Sequence, residues 1–117
     1  MFMRKKEDLP ECPVATTINL IGSKWKLLIL RELISGPKRF NVLKNSLEGI
    51  SHKVLTESLR SMEHDGLIMR KIYETRPRSV EYSLTELGMK LQPLLSEMES
   101  WGNFYKTHLI NPMLKPI

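Results

Sequence analysis

The stretch ISHKVLTESLRSMEHDG, residues 50–66, decides the fold. Ser51 suits a helix N-cap, because its hydroxyl can accept a hydrogen bond from an orphan amide of the first turn. Leu55, Leu59 and Met62 recur at i, i+4 and i+7 and form one buried stripe, while Lys53, Thr56, Glu57 and Arg60 make a polar side. Gly66 stands past the last turn, where a left-handed residue closes a helix cheaply. The spacing predicts a helix over residues 51–65. A solvated amphipathic helix would look the same in isolation, so its neighbours must separate the readings.

Upstream, Phe40, Leu43 and Leu47 predict a short helix over residues 39–47, and Glu48-Gly49-Ile50 turns the chain into the next one. Two short helices joined by a glycine-containing turn outline a helix-turn-helix. Before them, Cys12-Pro13 opens a first helix with Val14, Ile18 and Ile21 on its apolar side and Gly22 at its end. A second helix is expected over residues 24–35, with Trp25, Leu28, Ile29 and Leu33 inward and Gly36-Pro37 as its stop. Residues 1–11, starting with Arg4-Lys5-Lys6, read as a loose polar arm.

Downstream, residues 67–74 are rich in apolar and β-forming types, and Val80-Glu81-Tyr82-Ser83-Leu84 alternates. Thr75-Arg76-Pro77-Arg78-Ser79 lies between them as a turn. The result is a hairpin with a basic tip, a wing able to set Arg76 and Arg78 against a DNA backbone or minor groove. From Thr85 a long final helix is expected. Leu84, Leu87, Leu91, Leu94, Met98, Trp101 and Tyr105 follow a heptad seam widened by Leu95 and Phe104, and Pro93 should kink it. A chain of 117 residues has little to cover such a seam, so a second copy is the expected partner. Residues 111–117, with two prolines, should be irregular.

These elements define an α+β fold, mainly α. It is a winged helix-turn-helix with a two-stranded hairpin wing and dimerisation helices added at both ends. One domain is expected over residues 1–117: arm 1–11, dimer helices 12–35 and 85–109, helix-turn-helix 39–65 and wing 67–84. The formal charge is +5, and residues 38–78 hold nine Lys/Arg against five acids, so the basic excess sits where a phosphate footprint is needed. Double-stranded DNA is therefore the expected partner, contacted by Arg39, Ser51, His52, Lys53, Thr56, Arg60, Arg76 and Arg78. A second copy should meet Val14, Ile18, Leu91, Leu94, Met98, Trp101 and Tyr105.

Enzymatic function is not expected. The glycines are scattered as punctuation, with no phosphate-cradling loop. His52, His64 and His108 lack metal-ligand spacing, and one cysteine can build neither an internal disulfide nor a cysteine-rich zinc site. No cofactor or metal is expected. No apolar run approaches membrane-spanning length, and MFMRKKEDLP has no hydrophobic stretch behind its charges, so a cytoplasmic protein is expected. The competing readings are a winged helix used for protein binding and a non-specific, RNA-binding or architectural nucleic-acid binder. Exposed cations where a protein-binding wing carries apolar residues favour DNA.

The chain resembles the HxlR-type winged helix-turn-helix regulators of bacteria, relatives of the MarR group. The resemblance rests on CPV at 12–14, IGSKWKLLILREL at 21–33, RFNVLKNSLEGISHKVLTESLRSMEHDGLI at 39–68 and VEYSLTELGMKLQPLL at 80–95. It implies a homodimer on operator DNA, a recognition helix over 51–65 and a wing around Arg76 and Arg78. It also implies dimerisation through the first and last helices together. Several members sense electrophiles or oxidants through a cysteine near the N-terminus, and Cys12 matches that place. The positive end of a helix dipole favours a thiolate there, so Cys12 is the candidate redox sensor, alone or aided by Arg4, Lys5 and Lys6. A packing cysteine without chemistry is the alternative.

Overall fold

The helices Lys24–Ile34 and His52–His64 each open on a serine cap and continue as an apolar stripe. The computed structural model describes residues 5–110. Its elements are α1 (Pro13–Ile21), α2 (Lys24–Ile34), β1 (Lys38–Arg39), α3 (Phe40–Ser46), α4 (His52–His64), β2 (Ile68–Tyr73), β3 (Ser79–Leu84), α5 (Glu86–Met89) and α6 (Gln92–Ile110). Ser23 caps α2, its hydroxyl accepting from the Lys26 amide at 3.2 Å. Ser51 caps α4 as expected, accepting from the Val54 amide at 3.0 Å. At the far end of α4 the Leu67 amide reaches the Met62 carbonyl and the Gly66 amide reaches Glu63. Gly66 has φ of +78°, the left-handed closure expected for it.

The core takes in the predicted stripe of α4 and, from α2, Ile29 and Leu33 with Leu30 added, while Val14 and Ile18 of the α1 stripe stay exposed. Ile29, Leu30 and Leu33 of α2 meet Leu43, then Leu55, Leu59 and Met62 of α4, with Ile68 and Leu84 closing the sheet side. Burying each such side chain contributes about 1.5–3 kcal/mol before entropy is subtracted.

Three expectations are corrected. The two-stranded hairpin wing, β2 with β3, stands as expected, and the sheet adds a third strand: β1 pairs with β3 antiparallel, Lys38 opposite Tyr82 and Arg39 opposite Glu81, giving the order β1-β3-β2. Residue 39 was expected to start a helix, but its backbone is extended and α3 begins at Phe40. A two-residue strand has no alternation to reveal it, and only pairing with β3 creates it.

The final helix is not continuous. Thr85 caps α5 as expected, accepting from the Gly88 amide at 3.0 Å, but α5 lasts one turn. Lys90 and Leu91 form a turn and α6 restarts at Gln92. In an unbroken helix Pro93 would leave the Met89 carbonyl without its partner. By restarting just before it, the chain puts Pro93 in a first turn, where an amide has no intrahelical acceptor to lose.

The arm is also less loose than expected where it is described. Residues 6–8 form a 3-10 turn, Leu9 is half-buried, and the Thr16 hydroxyl donates to the Pro10 carbonyl at 3.0 Å. Residues 1–4, including Arg4, and the tail 111–117 lie outside the described residues.

Candidate nucleic-acid interface

The α4 helix presents its first turn because Leu55, Leu59 and Met62 pin the opposite side to the core. His52 and Lys53 are exposed directly after the cap, Thr56 is half-buried and Arg60 is exposed further along. The His52 ring packs on Phe40 of α3 at 4.9 Å between centroids, which ties the entrance of α4 to α3. Lys53 and Glu57 stand 4.0 Å apart across one turn, both well exposed. Such a pair is weak in water and can open for a phosphate or a base edge. Ser51 is occupied as the cap, so its hydroxyl is committed to the helix. Arg39 is exposed on β1 at the entrance of α3.

The wing is braced against α4. Strands β2 and β3 pair from Ile68 opposite Leu84 to Tyr73 opposite Ser79. Arg70 lies 3.6 Å from Glu63 of α4, which is mostly shielded. Tyr82, opposite Arg70, has its phenol pushed above the ordinary value by burial and by Glu63, against the pull of Arg70 and Arg60. On β2 and β3 the Tyr73 hydroxyl donates to Glu81 at 3.2 Å, and the Lys71 ammonium lies over the Tyr73 ring at 4.9 Å. Arg76 and Arg78 are both exposed at the tip, as placed from the sequence, and Arg78 sits 3.8 Å from Glu74. The Glu63–Arg70 brace was not read from the sequence, because its two members belong to different elements.

The predicted seam residues fall into two groups. Val14 and Ile18 of α1 and Leu94 and Met98 of α6 line one apolar groove of about 240 Å³. Trp101 is 65% exposed and stacks on Tyr105 at 5.5 Å. Leu91 differs: it is half-buried and packs on the chain's own core beside Leu95. Cys12 is exposed at the N-cap of α1, and its thiol makes no capping hydrogen bond. Among the described residues no cluster of His, Cys, Asp or Glu is placed to hold a metal ion, and no helix is long and apolar enough to cross a membrane.

A helix-turn-helix followed by a braced basic hairpin defines the winged-helix class of DNA-binding proteins. Residues 20–109 match the HxlR-like helix-turn-helix family, and the chain belongs to that family. It is 45% identical over 103 residues to the uncharacterized HTH-type transcriptional regulator YdeP of Bacillus subtilis strain 168, covering 88% of this chain and 80% of that one. Among solved structures it is similar to the redox regulator HypR. The oxidized form gives a TM-score of 0.76 at 42% identity, covering 79% of this chain and 95% of that one. The reduced form gives 0.79 at 40%, covering 84% and 97%. The reduced form of the transcriptional regulator YodB from B. subtilis is similar at 35% identity and a TM-score of 0.70, covering 80% of this chain and 93% of that one. The protein is a DNA-binding transcriptional regulator of the HxlR and MarR type, not an enzyme.

Proposed function

We propose that the chain acts as a homodimer on an operator of two inverted half-sites, with α4 reading bases and the wing gripping the backbone. The observation that carries this is the pairing of two unlike exposed surfaces on one small chain. Cations and polar groups stand on α4 and the wing, and large apolar side chains on α1 and α6. Val14 is 67% exposed and Trp101 65%, and apolar patches of this kind mark interaction surfaces. A second copy meeting α1 and α6 covers them and sets two recognition helices side by side. Operator half-sites roughly one helical turn apart, about 34 Å, follow from such symmetry.

Within α4, His52, Lys53 and Thr56 occupy the N-terminal half that approaches base edges in this kind of docking. Arg39, Arg60, Arg76 and Arg78 bind phosphates, and Ser51 holds the helix start. Cys12 makes operator affinity respond to an oxidant or electrophile. Its exposure at the start of α1, two residues before Val14 of the apolar groove, supports this. So does similarity to a redox regulator solved in oxidized and reduced forms.

The test begins with duplexes selected by the wild-type protein from a random-sequence pool. Lys53→Ala/Thr56→Ala is expected to bind the selected duplex about 1–3 kcal/mol more weakly for each base no longer read. Its binding to random duplex should change much less. Unchanged preference in that double variant refutes α4 as the reader.

A further inference from the structure

We infer that Lys26 is a positioning residue for DNA recognition: its ammonium locks the back of α4 to the end of α1. The inference rests on α4 being the reading helix and α1 belonging to the seam. Along α2, Lys26, Ile29, Leu30 and Leu33 stand at i, i+3, i+4 and i+7, so a lysine occupies the phase of the buried stripe. It is half-buried there, and its head finds two partners in different helices. It donates to the Ser61 hydroxyl of α4 at 2.9 Å and to the Leu20 carbonyl of α1 at 3.4 Å.

Both partners suit the role. At the end of α1, the Ile18 carbonyl accepts from Gly22 and the Ile21 carbonyl from Ser23, while Leu20 turns to the ammonium. A cation is favoured at that negative end of the helix dipole. Ser61 follows Val54 and Ser58 at i+7 and i+3 on α4, a line that Ser58 carries into the interior. Lys53, Thr56 and Arg60 stand on other sides of the same helix, so the bridge holds α4 without occupying its reading surface.

Packing alone does not call for a charge here. A methionine would fill the space of the lysine stem and avoid the cost of holding an ammonium partly out of water. What a methionine cannot do is fix the rotation and height of α4 against α1 through two directed hydrogen bonds. A helix displaced by an ångström in its groove misses base edges while keeping its hold on phosphates, which tolerates more movement. The bridge therefore serves sequence preference, and connects the reading helix to the element that bears Cys12.

Lys26→Met, Ser61→Ala, their combination and Lys26→Arg test this in the full chain, against the selected duplex and a random one. Lys26→Met is expected to stay folded and assembled, bind random duplex as wild type does, and bind the selected duplex about tenfold more weakly. Ser61→Ala should fall in the same direction, the double variant no further than the worse single, and Lys26→Arg should recover most of the affinity. A selected-to-random ratio unchanged in Lys26→Met overturns the inference, as does a double variant whose effects multiply. If Lys26→Met does not fold, Ser61→Ala decides by the same ratio. Lys53→Ala/Thr56→Ala keeps the two readings apart. An intact preference there removes α4 as the reader, and a weakening in Lys26→Met would then act elsewhere and refute the bridge's role.

Discussion

Replacing Gly88 by alanine sets helix propensity against packing. Gly88 lies in α5, and alanine exceeds glycine by about 1 kcal/mol in a helix interior, so propensity alone favours the variant. The fold opposes it. Gly88 is buried, and a Cβ built there would land on the Leu67 carbonyl oxygen at the base of the wing, with Leu84 Cδ2 also close at 3.3 Å. Backbone oxygen cannot rotate away as a side chain can. The same carbonyl accepts from the Thr85 amide at 3.0 Å and from its hydroxyl at 3.1 Å, and that hydroxyl also reaches the Gly66 carbonyl at 2.6 Å. Moving α5 outward to admit the methyl therefore stretches these bonds. Overpacking costs about 1–3 kcal/mol, and a weakened Thr85 bond about 1 kcal/mol more. Subtracting the propensity gain leaves a net destabilisation of about 1–3 kcal/mol. Thermal unfolding followed by circular dichroism, at one fixed protein concentration, should show Tm lowered by about 4 °C for each kcal/mol. A Tm equal to or above wild type would refute the close approach of α5 to Leu67.

Three further outcomes are expected. Arg76→Ala/Arg78→Ala should weaken binding to selected and random duplexes alike and flatten the salt dependence by about one unit for each phosphate no longer neutralised; an unchanged slope excludes the wing arginines from the backbone. Met98→Asp or Trp101→Asp should yield monomers or unfolded protein by sedimentation, because each places a charge in the proposed seam; a folded wild-type monomer at micromolar concentration refutes the seam. Operator affinity of the wild type should change after a mild oxidant or a quinone and that of Cys12→Ser should not, and an equal response in both removes Cys12 as the sensor.

The helix-turn-helix was legible because its signals are local. Ser51, the Leu55–Leu59–Met62 stripe and Gly66 each act within a turn or two of their own position, and the structure uses all of them. The hairpin was legible for the same reason, since alternation over 80–84 is a property of one strand. What escaped is non-local. The strand at Lys38–Arg39 exists only by pairing with residues far along the chain, at Tyr82 and Glu81. The Glu63–Arg70 brace and the reach of Lys26 to Ser61 are likewise made between elements. The break before α6 was half legible: Pro93 announced a disturbance, but only backbone hydrogen bonding shows the chain stopping one turn earlier so that the proline costs nothing. Lys26 did leave a mark in the sequence, as a charge on the apolar phase of α2.

The apolar residues divide the molecule into two jobs, and the joints between them matter more than either part. Ile29, Leu33, Leu55 and Met62 close one core and need no second chain. Met98, Trp101, Phe104 and Leu109 lie exposed along α6, while Leu91 and Leu95 fasten its beginning to the core. Besides Leu91 and Leu95, two further joints among the described residues tie the helices of the proposed seam to the rest of the chain. One joint is Thr85–Gly88, which docks α5 on the first residues of the wing; the other is Lys26, which reaches from α2 to both α1 and α4. In the proposed dimer a change at Cys12 that shifts α1 would bear on the Lys26 joint, which holds Leu20 of α1, and on α6 through the apolar groove the two helices share. In the proposed homodimer such a modification, far from any base, would alter the spacing of the two recognition helices, and a spacing error of a few ångströms would release one half-site while every DNA-facing side chain stays as it was.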